Sequence, residues 1–226
     1  TLGLPNDYDA NYVTAIYTGM RDLAARFNVS IVGGETTTNP ERLLINIALI
    51  GSVPRGQQVL RSGAFAGDAL FVTGELGGSL EGRHLEFQPR LAEAIWLREH
   101  FEIHSMIDLS DGLAGDLKHL LKTGGIGAEL LESSVPISRA AKARFREGKS
   151  SKPALLAALT DGEDFELLFT VASKDAVPML DGFRGAFPDV KLSCVGRITS
   201  TPGLGISSSN GTRDLVAEGY SHFSNN

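Results

Sequence analysis

The sequence predicts an α+β protein, and three observations lead to that class. Amphipathic stretches of helical period are interspersed with short apolar runs of strand length. Their order follows no strict strand–helix–strand rhythm, which disfavours a doubly wound sheet. Three of the apolar runs also carry acid and glycine at one end: Gly33-Gly34-Glu35, Asp108 to Gly112 and Asp161 to Glu166. Any one of these is a weak signal; their recurrence is informative.

The elements follow in order. Val13, Ile16, Met20, Leu23 and Phe27 fall on one stripe, so a helix is expected from about Asn11 to Phe27. A strand is expected from Val29 to Val32, ending in the Gly-Gly-Glu motif. A longer strand is expected from Arg42 to Val53, apolar almost throughout, until Pro54-Arg55-Gly56 breaks it. A second unit begins near Val59, which divides the chain into domains of residues 1–57 and 58–226. Ala69 to Thr73 reads as its first strand, leading to the glycine-rich Gly74 to Ser79. Helices fit Leu91 to Glu99, Leu113 to Lys122, Ala154 to Ala158 and a stretch within Lys174 to Phe187. Strands fit His104 to Leu109, Gly127 to Leu131, Phe165 to Val171 and Lys191 to Ile198. The Gly- and Ser-rich stretch from Pro202 to Gly211 suits a hairpin or a flexible loop. Thr1 to Pro5 reads as the end of a strand with nothing before it to pair with, so a chain lacking its leading segment is expected.

Composition narrows the classes of function. The chain has 226 residues, 42% of them hydrophobic, enough for a sizeable core. Its net charge is −6, with Lys+Arg 21 against Asp+Glu 27, so the basic footprint of a nucleic-acid binder is absent. No apolar stretch is long enough to span a bilayer, and no signal-peptide pattern opens the sequence. The single cysteine, Cys194, lies in an apolar run and reads as a buried, inert thiol. A cytoplasmic globular protein is expected.

The segment from Met106 to Leu113 is the most informative. Asp108, Ser110 and Asp111 close an apolar run, Gly112 follows, and Leu113, Leu117, Leu120 and Leu121 then recur at helical spacing. Carboxylates at a strand–turn–helix junction suit a hard cation such as magnesium, shared with substrate phosphates. The alternative is that Ser110 or Asp111 caps the helix. Asp161-Gly162-Glu163-Asp164-Phe165-Glu166 has a solvated loop as its alternative, and Gly33-Gly34 an ordinary turn. Asp116 and His119 share a helix face, which suits a surface contact more readily than a metal site.

Together these motifs resemble the thiamine-monophosphate kinases. The resemblance runs from about Leu2 to Phe223. It rests on Val32 to Thr37, Arg61-Ser62-Gly63-Ala64, Gly67 to Gly74, His84 to Arg90, Ile107 to Asp116, Asp161 to Leu168 and Gly219-Tyr220-Ser221-His222-Phe223. It implies two α/β domains of the aminoimidazole ribonucleotide synthetase type, the first truncated here and forming a homodimer in the family. The implied reaction moves the γ-phosphoryl group of ATP onto the phosphate of thiamine monophosphate, with magnesium ions holding the phosphates. The acceptor is already an anion, so no covalent nucleophile or strong general base is required and no catalytic side chain is assigned.

By the same resemblance, Asp108 and Asp111 hold magnesium, and Ser110 contacts the nucleotide. Gly34 and Glu35 lie at the nucleotide phosphates, with Glu35 also a metal ligand. Arg61 grips the nucleotide, and Tyr17 is a lesser contact whose alternative is core packing. Glu163 and Tyr220 contact thiamine, the tyrosine having core packing as its alternative. His84 and Arg90 are distinctive of the family without an assigned role; local pairing by Arg90 is the reading preferred. Two departures stand out. Glu35 replaces the usual aspartate, and the family's leading segment, with further metal ligands and a substrate-binding histidine, is absent, so this chain alone is expected to be inactive. The alternatives are another synthetase of the same superfamily, or a nucleotide-binding module without catalysis.

Overall fold

A computed structural model describes residues 1–122 and 124–215. The chain forms two compact units, Thr1–Arg55 and Gly56–Asn226. Among the described residues no helix is long and apolar enough to cross a membrane.

The first unit holds strand β1 (Leu2–Leu4), helix α1 (Ala10–Arg26), and strands β2 (Thr36–Thr38) and β3 (Leu44–Ile45). Asp9 starts α1 by accepting a 2.8 Å hydrogen bond from the Asn11 amide. The expected stripe is its less exposed side: Val13, Ile16, Met20 and Phe27 are half-buried, whereas Leu23 is 51% exposed. β1 pairs in parallel with β2 and antiparallel with β3.

Two expectations fail here. Val29 to Val32 forms no strand, and the Gly33-Gly34-Glu35 motif precedes a strand instead of ending one. Of Arg42 to Val53, only Leu44–Ile45 is a strand. The reason is the absence of a ladder. A strand needs a neighbour for its main-chain groups, and β1 offers three residues to each side. Apolar composition alone does not supply that neighbour, and Val32 and Ile50 are each 95% exposed.

The second unit is built on a seven-stranded sheet. Its elements are β4 (Ala69–Thr73), α2 (Arg83–Glu86), α3 (Leu91–His100), β5 (Ile103–Asp108), α4 (Leu113–Leu121), β6 (Gly127–Leu131), α5 (Arg139–Arg146), α6 (Ala154–Thr160), β7 (Leu167–Val171), α7 (Ala176–Ala186), β8 (Leu192–Thr199), β9 (Gly203–Ser208) and β10 (Gly211–Asp214). The strand order is β10-β9-β6-β8-β4-β7-β5. All pairs are antiparallel except β6 with β9. The Pro202–Gly211 stretch forms the β9–β10 hairpin.

Side-chain alternation sorts the sheet into two cores. Leu70, Val72 and Leu168 face one layer with Leu113, Leu117 and Leu120 of α4 and Leu159 of α6. Ala69, Phe71, Phe169 and Val171 face the other with Leu97 of α3 and Met179 and Phe183 of α7. Helices thus cover both faces, which is why β4 and β7 are continuous apolar runs. Edge strand β5 is shielded by the segment before β4. The Met106 amide donates to the Leu60 carbonyl at 3.2 Å, and a Cβ on Gly63 would lie 1.9 Å from the His104 carbonyl oxygen.

Truncating Phe169 tests this architecture, since the ring is fully buried and stacks on Phe71 at 5.7 Å between centroids. Phe169→Ala should lower the stability of the second unit by about 3–5 kcal/mol in urea denaturation.

Candidate functional site

The site lies where β5 and β7 end together. Asp108 is the last residue of β5 and pairs with Leu167, the first of β7. The chains continue side by side beyond the strands. The Leu109 amide donates to the Glu166 carbonyl, the Phe165 amide to the Leu109 carbonyl and the Glu163 amide to the Ser110 carbonyl, each at 2.8 Å. The two acidic turns are therefore one structure. Glycine makes their closeness possible. Gly162 has φ +74°, and a Cβ there would lie 2.5 Å from the Ser110 carbonyl oxygen.

The first turn opens a cleft of about 370 Å³ lined by Arg61, Asp108, Ser110, Asp111, Asp116 and His119, with Met106 and Ile107. Neither Ser110 nor Asp111 caps α4. Its N-cap is Gly112, with no side-chain cap bond. Instead Asp116, one turn into the helix and 1% exposed, reaches back. Its Oδ2 accepts the Ser110 amide at 3.0 Å and the Asp111 amide at 2.9 Å. Burial pushes the Asp116 carboxyl up to about 6, and the Asp111 and Asp108 charges add to the effect, while the two amides oppose it.

The carboxylates of Asp108 and Asp111 accept no hydrogen bond and form no ion pair among the described residues. Asp108 is exposed and Asp111 half-buried. Unpaired carboxylates lining one cleft beside an arginine fit a hard divalent cation. Ligand atoms of Asp111, Asp116 and His119 also lie within 4.8 Å of one another, so the Asp116–His119 pair belongs to this cluster instead of to a plain surface face. That grouping escaped the sequence because the Asp116 carboxylate folds back over the turn that carries Asp111.

The second turn is less of a solvated loop than its composition suggests. Asp161 pairs with Arg144 at 2.9 Å and Lys152 at 2.6 Å. Asp164, 2% exposed, takes the Gly77 amide at 2.9 and 3.0 Å and Arg83 at 2.6 Å. Glu166, 3% exposed, accepts two bonds from Arg90 at 2.7 and 2.8 Å and one from Thr73 at 2.7 Å. Arg90 thus pairs across 76 positions of sequence as well as locally with Glu93, which corrects the purely local reading. Only Glu163 stays exposed.

The remaining expected residues fall elsewhere. Tyr17, Gly34 and Glu35 belong to the first unit. There a Cβ on Gly34 would lie 3.8 Å from the Tyr17 hydroxyl, and Tyr17 borders a separate cleft with Val13, Thr14 and Ile31. Glu35 is exposed, and its carbonyl receives the Leu2 amide at 2.8 Å. Tyr220 lies outside the described residues. Cys194 is half-buried, and burial raises its thiol, as suits an inert residue.

Residues 1–53 match the AIR synthase related protein N-terminal domain, and residues 74–207 the corresponding C-terminal domain. Thiamine-monophosphate kinase of Escherichia coli (strain K12) is 32% identical over 246 residues, covering 98% of this chain and 72% of the relative. The chain belongs to the thiamine-monophosphate kinase family. The member from Rhodopirellula baltica is 41% identical over 204 residues, covering 90% of this chain and 62% of its own length. This chain therefore spans less than two thirds of that relative. Among solved structures, AaThiL complexed with AMPPCP and TMP aligns with TM-score 0.69 and 26% identity over 98% of this chain and 72% of that one.

The buried carboxylate of Asp164 gives this family member a pH signature. Burial raises it to about 6, against the opposing pull of the Gly77 amide and Arg83. A raised carboxyl binds its proton more tightly when folded, so its contribution to stability is complete below pH 4 and is lost as pH rises through about 6. The stability difference between the parent and Asp164→Asn should shift against the parent by about 2 kcal/mol between pH 4 and 7 in urea denaturation. A difference independent of pH would show that Asp164 ionises as it does in the unfolded chain.

Proposed function

We propose that the protein catalyses transfer of the γ-phosphoryl group of ATP to the phosphate of thiamine monophosphate, giving thiamine diphosphate and ADP. In this reading an oxygen of the acceptor phosphate attacks the γ-phosphorus, and the bond to the β–γ bridging oxygen breaks. The acceptor is an anion near neutral pH, so the difficulty is to bring two anions together in line. The observation that carries the reading is the pair of free carboxylates, Asp108 and Asp111, in a cleft with Arg61 and locked to the Glu163 turn.

Asp108 and Asp111 would hold magnesium, which when bound offsets phosphate charge. Asp116 keeps the Ser110 and Asp111 amides in place, so that the Ser110 hydroxyl and the Asp111 carboxylate stay at the cleft. Arg61 can grip phosphate oxygens through two parallel bonds. Tyr17, Gly34 and Glu35 are assigned to the nucleotide, with Glu35 a further metal ligand. Glu163 would balance the thiazolium charge, and Tyr220 would stack on a thiamine ring, a contact worth roughly 1–2 kcal/mol. The AMPPCP and TMP of the AaThiL complex support a nucleotide and thiamine monophosphate as the two ligands. A cytoplasmic homodimer is part of the same proposal, as the family resemblance implies.

Asp108→Asn is the direct test. In the full-length protein it should lower phosphoryl transfer at least tenfold at limiting magnesium, about 1.4 kcal/mol or more of barrier, with an unchanged far-UV spectrum. Unchanged turnover would remove the metal assignment. Glu35→Asp should keep activity within a factor of ten, whereas Glu35→Gln should reduce it further. Near-parent rates for both would make Glu35 only a turn residue.

A further inference from the structure

The segment between Gly74 and α3 carries Arg83, Phe87 and Arg90. It meets the Glu163 turn at three consecutive residues. Arg83 bonds Asp164 at 2.6 Å, Phe87 stacks on Phe165 at 4.2 Å between centroids, and Arg90 grips Glu166 at 2.7 and 2.8 Å. Arg83 is itself fixed by the Glu75 carbonyl at 2.7 Å.

The turn held in this way is strained. Glu163 has φ +57° and Phe165 φ +50°, conformations that non-glycine residues adopt rarely. Such backbone persists only where its surroundings over-determine it. The same conformation sends the Glu163 and Phe165 amides to the Ser110 and Leu109 carbonyls, so it ties Glu163 to the cleft. Of the acids in the turn, Asp161, Asp164 and Glu166 are consumed by cations, and Glu163 alone is exposed. The two arginines are not sealed in a core, their side chains being 36% and 21% exposed.

We propose that Arg83 and Arg90 are positioning residues for the thiamine substrate: through Asp164 and Glu166 they hold the strained turn that presents Glu163 beside the Asp108–Asp111 cleft. The inference rests on the assignment of Glu163 to thiamine monophosphate. It gives the segment from Arg83 to Arg90 a purpose, since the two parallel bonds of Arg90 to Glu166 and the bridge of Arg83 between Asp164 and the Glu75 carbonyl, and not charge alone, fix the turn.

The test uses Arg90→Lys and Arg83→Lys in the full-length protein, because lysine keeps the charge but loses the two parallel bonds of Arg90 to Glu166 and the simultaneous reach of Arg83 to Asp164 and the Glu75 carbonyl. Each should raise the KM for thiamine monophosphate at least tenfold while the KM for ATP stays within threefold. Amide exchange should quicken at Glu163 and Phe165, with β4 and β7 still protected. Equal changes in both KM values, an unchanged KM for thiamine monophosphate, or faster exchange throughout β4 and β7 would overturn the proposal and leave the arginines merely structural. If one variant does not fold, the other decides. Glu163→Gln separates the two levels. Should it raise the KM for thiamine monophosphate while the lysine variants do not, only the positioning role falls. Should it leave that KM unchanged, the assignment of Glu163 falls and takes the positioning role with it.

Discussion

Three main-chain hydrogen bonds beyond the ends of β5 and β7 are the constraint on which the site depends. They join Leu109 and Ser110 to the turn from Glu163 to Glu166. Because of them, a carboxylate pair at one strand end and an exposed glutamate at the next cannot move independently. The register that sets them is fixed further down the sheet, where Met106 to Asp108 pair with Phe169 to Leu167 between two buried cores. A slip of one residue would turn every core side chain of β7 to the wrong face, so the packing of the sheet also sets the geometry of the cleft.

Charge is distributed with the same economy. The fold consumes those carboxylates that it buries. Asp164 meets Arg83 and the Gly77 amide, Glu166 meets Arg90 and the Thr73 hydroxyl, and Asp116 meets two amides. Removing one partner of such a pair is costly, because the other is left buried and uncompensated. Of the acids in the two turns, Asp108, Asp111 and Glu163 form no ion pair among the described residues, and they lie at one end of the sheet. An arrangement that leaves three acids unpaired beside an arginine loses stability through repulsion, and a cation at Asp108 and Asp111 would relieve it.

Much of the second unit was legible in the sequence. Ala69–Thr73 and Gly127–Leu131 fall where the apolar runs predict strands, and α3, α4 and α7 fall within a residue or two of their periodic stretches. These elements bury their side chains, so their composition reports their structure. Helix α5 was overlooked because its sequence, Arg139–Arg146, is dominated by charge and alanine and buries only Ala141. In the first unit, the apolar stretches around Val32 and Ile50 have no ladder, and composition misled. At the site, the motif positions could be read, but their division of labour could not. Four acids in six residues look alike in sequence. Which are spent on Arg83, Arg90, Arg144 and Lys152 depends on contacts spanning from 9 to 81 positions.

The central claim is that one end of the sheet gathers the cation, the nucleotide phosphates and the substrate turn. Paramagnetic broadening by Mn²⁺ in the presence of ATP, read from amide resonances of the full chain, tests it most directly. The account predicts the strongest loss of signal at Asp108, Ser110, Asp111 and Glu163, with weaker broadening at Asp68 and His104 toward the opposite end of the sheet. Broadening that is stronger at Asp68 and His104 than at Asp108 to Asp111, or none at Asp108 to Asp111, would contradict it.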